Sequence, residues 1–165
     1  MLEHVDQLLS HYRRRGLLVD ANLLLLYVVG LIDVRQITTF GRTDTYEPRD
    51  FKLLERVIGY FEIVVTTPHV LTETSNFLGQ LPGKRAGEGR AMLGQLAPHL
   101  QEEHRPASTL TRHDTYRQFG LTDTAIDDVA SDTHLVLTDD LPLYHYLAVQ
   151  GRDAINFNHL RVANW

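Results

Sequence analysis

Short apolar runs that alternate with helical patterns are the feature that most constrains how this chain can fold. Three runs stand out, at Leu17–Val19, 61–66 and Leu135–Thr138, and a fourth spans 154–157. The first three are each followed by a stretch whose apolar residues recur every three or four positions. Short buried strands separated by helices predict a parallel sheet covered by helices.

We therefore predict a single domain, 1–165, with a three-layer α/β fold and a central parallel sheet of four to five strands. The segment 33–60 separates the first two strands, and its polar part, 33–47, predicts a loop or insertion. Residues 81–89 predict a connector and the residues after 157 a tail ending at Trp165. The predicted helices span 2–14, 22–31, 48–60, 68–80, 90–104, 108–118, 123–131 and 141–150.

Composition excludes several classes of site. The chain has no cysteine, which excludes disulfides, zinc–thiolate centres and thiol nucleophiles. No apolar run approaches the roughly 20 residues that a membrane-spanning helix needs. The basic residues near the N-terminus follow the apolar ones, the reverse of a secretory signal. We expect a cytoplasmic protein without a membrane partner.

Acidic residues lie where the predicted strands end. Asp20 directly follows the first strand, Asp139 and Asp140 follow the third, and Asp123 lies at the start of a helix. Glu73 shares a helix face with apolar residues three and four positions away. The carboxyl ends of parallel strands share one edge of a sheet, so we expect these acids to converge. Like charges gather stably around a cation, and a divalent metal is the usual one.

Each acid also has a purely structural interpretation, and the sequence leaves both open. Asp20, Asp123 and Asp140 are suitable N-caps for the helices that follow. Glu73 can lie at the border of the apolar face and reach water. Asp127, four residues after Asp123, either shares a cation with it or is a surface acid.

The net charge of −5 argues weakly against a nucleic-acid partner. Removing the four charges of Asp20, Glu73, Asp123 and Asp140 leaves only −1. An acidic chain is therefore compatible with a nuclease whose metal ions are left out of the count.

Four segments in order resemble the PIN domain family, the metal-dependent nucleases that include the VapC toxins of bacterial toxin–antitoxin pairs. The resemblance covers about residues 16–157. The segments are LLVDANLLL with Asp20 and Asn22, TPHVLTETSNFL with Glu73, GLTDTAI with Asp123, and LVLTDDLPL with Thr138 and Asp140.

The resemblance implies a ribonuclease that hydrolyses RNA phosphodiester bonds with Mg²⁺ or Mn²⁺. The two arginines best placed for the nucleic-acid backbone are Arg112 and Arg117. Asn22 and Thr138 would orient the ligands. The implied ligands are Asp20, Glu73, Asp123 and Asp140, with Asp139 and Asp127 in reserve, and the identity of the fourth ligand is open between Asp139 and Asp140.

The implied partners are RNA, an antitoxin protein and a second copy of the chain. The apolar face of helix 2–14 could form a homodimer, or it could pack on the chain's own sheet. A competing interpretation is an adaptor that keeps the fold and has lost catalysis. A phosphatase of the haloacid-dehalogenase type is disfavoured, because Asn22 replaces its second aspartate and the only lysines are Lys52 and Lys84.

Overall fold

The computed structural model describes residues 2–130 and 133–163, and five strands of these residues form one parallel sheet. The sheet order is β3-β2-β1-β4-β5, and every pair is parallel. This confirms the predicted α/β class and is consistent with three layers, with helices flanking a central sheet. The strands are β1 (Leu17–Val19), β2 (Val64–Thr66), β3 (Gln101–Glu102), β4 (Leu135–Thr138) and β5 (Ala154–Asn156).

The helices cover both faces of this sheet. None of those in the described residues combines the length and apolar character needed to cross a bilayer. In chain order they are α1 (Leu2–Tyr12), α2 (Ala21–Ile32), α3 (Pro48–Tyr60), α4 (Pro68–Leu78), α5 (Arg85–Leu96), α6 (Ala107–Leu110), α7 (Asp114–Phe119), α8 (Leu121–Val129), α9 (Leu141–Val149) and α10 (Phe157–Ala163).

Helix α2 is the centre of the apolar core. It is buried over most of its length and contacts α3, α4 and α5, as its nearly uniform apolar sequence predicts. Gly30 allows α3 to approach closely, because a Cβ atom there would lie 2.2 Å from Cδ2 of Phe51. The core therefore holds α2 rigidly behind the edge of the sheet at which α2 begins.

Several predicted boundaries were wrong. The predicted helix 90–104 begins earlier, at Arg85 within the expected connector, and ends at Leu96. Residues Gln101–Glu102 form the edge strand β3 instead. The turn before Asp114 divides the predicted helix 108–118 into α6 and α7, α8 begins at Leu121 rather than at Asp123, and α10 forms where a tail was predicted. The predicted helix end at Ser131 and the terminal Trp165 lie outside the described residues.

The apolar face of α1 is covered within the chain. Val5, Leu9 and Tyr12 are buried, and α1 contacts β4. The Tyr12 hydroxyl also donates a hydrogen bond to Asp153 over 2.8 Å. Packing on the chain's own sheet, one of the two interpretations of this helix, is therefore what the fold contains.

Candidate functional site

The sheet reverses its winding direction between β1 and β4. Chain order runs outward from β1 to β3 on one side, while β4 and β5 lie on the other. Parallel α/β sheets form a crevice outside the carboxyl ends of the two strands that flank such a point. Asp20 follows one of these strands, and Asp139 and Asp140 follow the other. The topology thus brings these three acids to one place.

Asp20 is a buried N-cap with a second long-range contact. Its Oδ1 accepts a hydrogen bond from the Leu23 amide over 2.8 Å, which caps α2. Its Oδ2 accepts one from the Asp139 amide over 3.0 Å. Burial and the charge of Asp139 raise the pKa of Asp20 well above its ordinary value, although hydrogen bonds, including one from Thr138, counteract this. The capping interpretation and the convergence of acids both apply to Asp20.

Asp139 is held by three side chains that come from distant parts of the chain. Asn22 Nδ2 donates to its Oδ1 over 3.2 Å, and the Tyr46 hydroxyl donates to its Oδ2. Asn158 Nδ2 donates to its carbonyl oxygen over 3.1 Å. Both carboxylate oxygens of Asp139 are therefore occupied by donors from the protein.

Asp140 has a different environment from its neighbour. Its Oδ1 accepts a hydrogen bond from the Leu143 amide over 2.8 Å and caps α9. Its own amide donates to the Thr138 hydroxyl over 3.0 Å. Thr138 therefore contacts both Asp20 and Asp140, which is the placement expected of a residue that orients ligands.

Glu73, Asp123 and Asp140 form what we call the acid cluster. Burial and the charges of Asp140 and Glu73 raise the pKa of Asp123 from 3.8 to about 7. Glu73 is half-buried and lines a groove of about 410 Å³, between α4 and the start of α8, which His69 also lines. Among the described residues, no arginine, lysine or histidine forms an ion pair with any member of the cluster.

The donor set fits a hard divalent cation in its chemistry and charge. Carboxylate oxygens are the ligands that Mg²⁺ and Mn²⁺ prefer. Burial first, and then the charges of Asp140 and Glu73, raise the pKa of Asp123, and a bound cation would counteract all of these effects by stabilising the ionised carboxylate. The carboxylates are too far apart to bind one ion as they stand. Within residues 2–130 and 133–163, no three acidic or histidine side chains lie close enough together to form a complete ligand group. Carboxylates without a counter-ion are expected to stand apart for the same electrostatic reason.

Asp127 does not join the acid cluster. It is buried, and its oxygens accept hydrogen bonds from Thr115 over 3.0 Å and from Arg152 Nε over 3.3 Å. Its charge is thus compensated by an arginine, and a cation shared with Asp123 is not needed to explain its burial. Arg112 and Arg117 are exposed, the first between α6 and α7 and the second on α7.

Tyr46 and Asn158 also contact Asp139, and neither was predicted from the sequence. Tyr46 lies in the polar segment 33–47, and no local pattern indicates that it reaches a residue 93 positions away. Asn158 carried a usable signal, because it follows β5 closely in the same way that the acids follow β1 and β4. A polar residue just past a strand end would have placed it at the same edge.

Comparison with known proteins adds no family. No protein-family model matches the chain, and no curated protein matches its sequence significantly. Function is therefore inferred from the residues at the switch point.

Proposed function

We propose that this protein is a divalent-metal-dependent ribonuclease of the PIN type that hydrolyses phosphodiester bonds of RNA. The observation that carries the proposal is the acid cluster: Asp123 is half-buried and lies close enough to Asp140 and Glu73 for their charges to help raise its pKa to about 7. Asp140 follows β4 at the switch point of the sheet, and neighbouring carboxylates of this kind suit a Mg²⁺ or Mn²⁺ centre.

Glu73, Asp123 and Asp140 would hold the ion, together with Asp20 at the end of β1. When bound, a divalent cation supplies positive charge that lowers the pKa of water and neutralises the phosphate oxygens. Asp139 is a weaker candidate for the fourth ligand than Asp140, because Asn22 and Tyr46 occupy both of its oxygens, whereas the Leu143 amide occupies only one oxygen of Asp140. Each oxygen of Asp20 accepts one backbone amide and keeps a lone pair that could bind an ion. The role of Asp139 is to position Asp20 through its backbone amide.

The residues around the acids would restrict their motion. Asp20 and Asp140 are each fixed as an N-cap at the start of a helix. Thr138 contacts both of these acids from the end of β4. Ligands held in this way lose little conformational freedom when they bind an ion, which favours tight and well-oriented binding.

The proposal is tested by Mn²⁺-dependent cleavage of single-stranded RNA. Asp20→Asn keeps a side chain that can cap α2 and removes the charge. Asp33→Asn is the matched control, because Asp33 lies at the opposite end of the same helix and also acts as a cap, for the turn that follows. We expect cleavage to fall at least about 100-fold in Asp20→Asn and to persist in Asp33→Asn. Equal cleavage by wild type and Asp20→Asn would remove the proposal.

The toxin role is a finer proposal that rests on this activity. Unrestrained cleavage of cellular RNA should stop growth when no antitoxin is present. We expect growth arrest on induced expression of the wild type and none with Asp20→Asn at equal protein level. Growth arrest by both proteins would show that arrest does not depend on cleavage.

A further inference from the structure

A second feature of the surface is a groove of about 790 Å³ between α3 and α10. Four cationic side chains and a single carboxylate, Asp50, line it. We call it the basic groove. Its cationic residues are Arg49, Lys52, Arg56 and Arg161.

The basic groove lies beside the residues that hold Asp139. Arg161 forms part of the groove wall, and its guanidinium carbon lies 4.8 Å from the centre of the Tyr46 ring. The Tyr46 hydroxyl in turn donates to Asp139. Asn158, which also lines the groove, accepts from Arg161 over 2.9 Å and donates to the Asp139 carbonyl. Two short paths of contacts, one through Tyr46 and one through Asn158, therefore connect the basic groove to Asp139.

The cationic side chains of the basic groove differ in how firmly they are held by their partners. Arg161 is anchored by the buried Asp50 over 2.8 Å and by the Thr45 carbonyl over 2.9 Å. Arg49 and Lys52 pair with Glu47 and Glu55 at the surface, where their side chains are 76% and 67% exposed. Exposed ion pairs of this kind contribute little to the free energy of folding, and salt screens them. Arg49 and Lys52 can therefore exchange their partners for a phosphate group.

We propose that the basic groove binds the phosphate backbone of single-stranded RNA beside the bond that is cleaved. The inference rests on the proposed function and names the path of its substrate. Acids at the site repel a polyanion, so the binding free energy must come from cations nearby. The basic groove supplies them next to Asp139, on a different element from Arg112 and Arg117.

The test compares two double variants that remove the same charge. Arg49→Ala/Lys52→Ala changes the groove, and Arg13→Ala/Arg14→Ala changes the turn after α1. The control pair is matched in chemistry, because Arg13 and Arg14 are also exposed and pair with a surface glutamate, Glu62. Their turn precedes β1 and lies at the opposite edge of the sheet from the acids. Thermal unfolding by circular dichroism verifies that both variants fold.

Binding of a fluorescein-labelled 12-nucleotide RNA is measured by anisotropy in EDTA, from 50 to 200 mM salt. We expect the groove variant to bind about tenfold more weakly at 100 mM salt. The slope of log affinity against log salt should become shallower by about 1.4, which corresponds to two lost phosphate contacts on a single strand. The control variant should bind within about twofold of the wild type, because its charges lie far from the proposed path.

Equal losses of RNA affinity in both variants would show a general charge effect and overturn the inference. An unchanged affinity in the groove variant would also overturn it. Tighter binding of the same sequence as a duplex would overturn the single-strand assignment. The measurement uses no divalent ion and no cleavage, so it fails or succeeds independently of the ribonuclease activity. A wild type that binds through the groove without cleaving would remove only the proposed function.

Discussion

The amide of Asp139 donates a hydrogen bond to Oδ2 of Asp20 over 3.0 Å, between residues 119 positions apart in the chain. This contact joins the ends of β1 and β4 at the point where the sheet reverses direction. Because the donor is a backbone group, the position of Asp20 depends on the path of the chain after β4. The side chain of Asp139 accepts hydrogen bonds from Asn22 and Tyr46, and its backbone carbonyl accepts one from Asn158.

The two adjacent acids after β4 should respond differently to loss of charge. Asp140→Asn keeps a capping side chain, so we expect less than about 1 kcal/mol of destabilisation and at least about a 100-fold loss of Mn²⁺-dependent cleavage. Asp139→Asn should retain more cleavage and lose more stability, because it weakens bonds from Asn22 and Tyr46. Cleavage rates and urea unfolding measure both. A larger cleavage loss in Asp139→Asn would reverse the ligand assignment.

Stability without divalent ions should fall as the pH rises toward 7. The folded protein raises the pKa of Asp123 from 3.8 to about 7, so folding favours its protonated form. This contribution is fully present below about pH 4 and is lost as the pH rises through 7. Its size is on the order of 2–4 kcal/mol. Asp123→Asn should reduce the dependence of Tm on pH between 4.5 and 8, measured by thermal unfolding in EDTA. A slope of the same sign should remain from Asp20, whose pKa is raised as well.

A control variant and a metal titration distinguish the titration of Asp123 from that of other carboxylates. Arg35 holds the pKa of Asp33 down to about 2, so Asp33 is ionised in both states above pH 5. Asp33→Asn should therefore keep the wild-type slope over that range. Added Mn²⁺ should raise the wild-type Tm increasingly as the pH passes through 7. A pH slope that Asp123→Asn leaves intact would contradict the assignment.

Tyr46→Phe should destabilise the protein by about 1–3 kcal/mol, because a hydrogen bond to a partly buried carboxylate is lost. Burial and the charge of Asp139 raise the pKa of Tyr46 well above its ordinary value, so the hydroxyl is a donor at every working pH. The phenyl ring still packs against Phe157 and Arg161. Urea unfolding measures the change, and Tyr116→Phe on the exposed side of α7 is the control. Equal stability of the two variants would show that the bond contributes nothing.

Asp127→Asn should cost about 1–3 kcal/mol, because it weakens the charged hydrogen bond between the buried Asp127 and the partly exposed Arg152. It should leave Mn²⁺ affinity unchanged, since its partners are Thr115 and Arg152 rather than the acid cluster. Glu73→Gln should show the opposite pattern, with weak Mn²⁺ binding and nearly wild-type stability. Calorimetric titration and urea unfolding on the same preparations distinguish the two. A loss of Mn²⁺ affinity in Asp127→Asn would return this residue to the ligand set.

The sequence predicted those parts of the fold that local patterns encode. The strands at Leu17–Val19 and Leu135–Thr138 are buried along their whole length, so apolar runs mark them without ambiguity. Strand β3 has only two residues, both exposed and polar, and its pairing with β2 leaves no hydrophobic signal. Helix α5 begins among charged and glycine residues that resemble a connector. Packing against α2 and α4, together with the ion pair of Arg85 with Asp33, stabilises it there.

Site residues that directly follow a strand could be predicted from the sequence. Contacts between residues that are distant in the chain could not. The position of Asp20 after β1 follows from sequence alone. The pairing of Asp127 with Arg152 does not, because it requires the turn after α9 to meet α8. For the same reason, the four-residue spacing of Asp123 and Asp127 did not indicate that Thr115 and Arg152 would be the partners of Asp127.

The long-range character of the Arg161 contacts has a consequence for biosynthesis. Arg161 donates hydrogen bonds to Asp50, 111 positions away in the chain, and to the Thr45 carbonyl, 116 positions away. It also stacks on Tyr46, which donates a hydrogen bond to Asp139. A nascent polypeptide emerges from the ribosome with its N-terminal portion first. The framework around the acids therefore cannot close until the segment carrying Arg161 has left the exit tunnel, and truncated translation products lack a completed site.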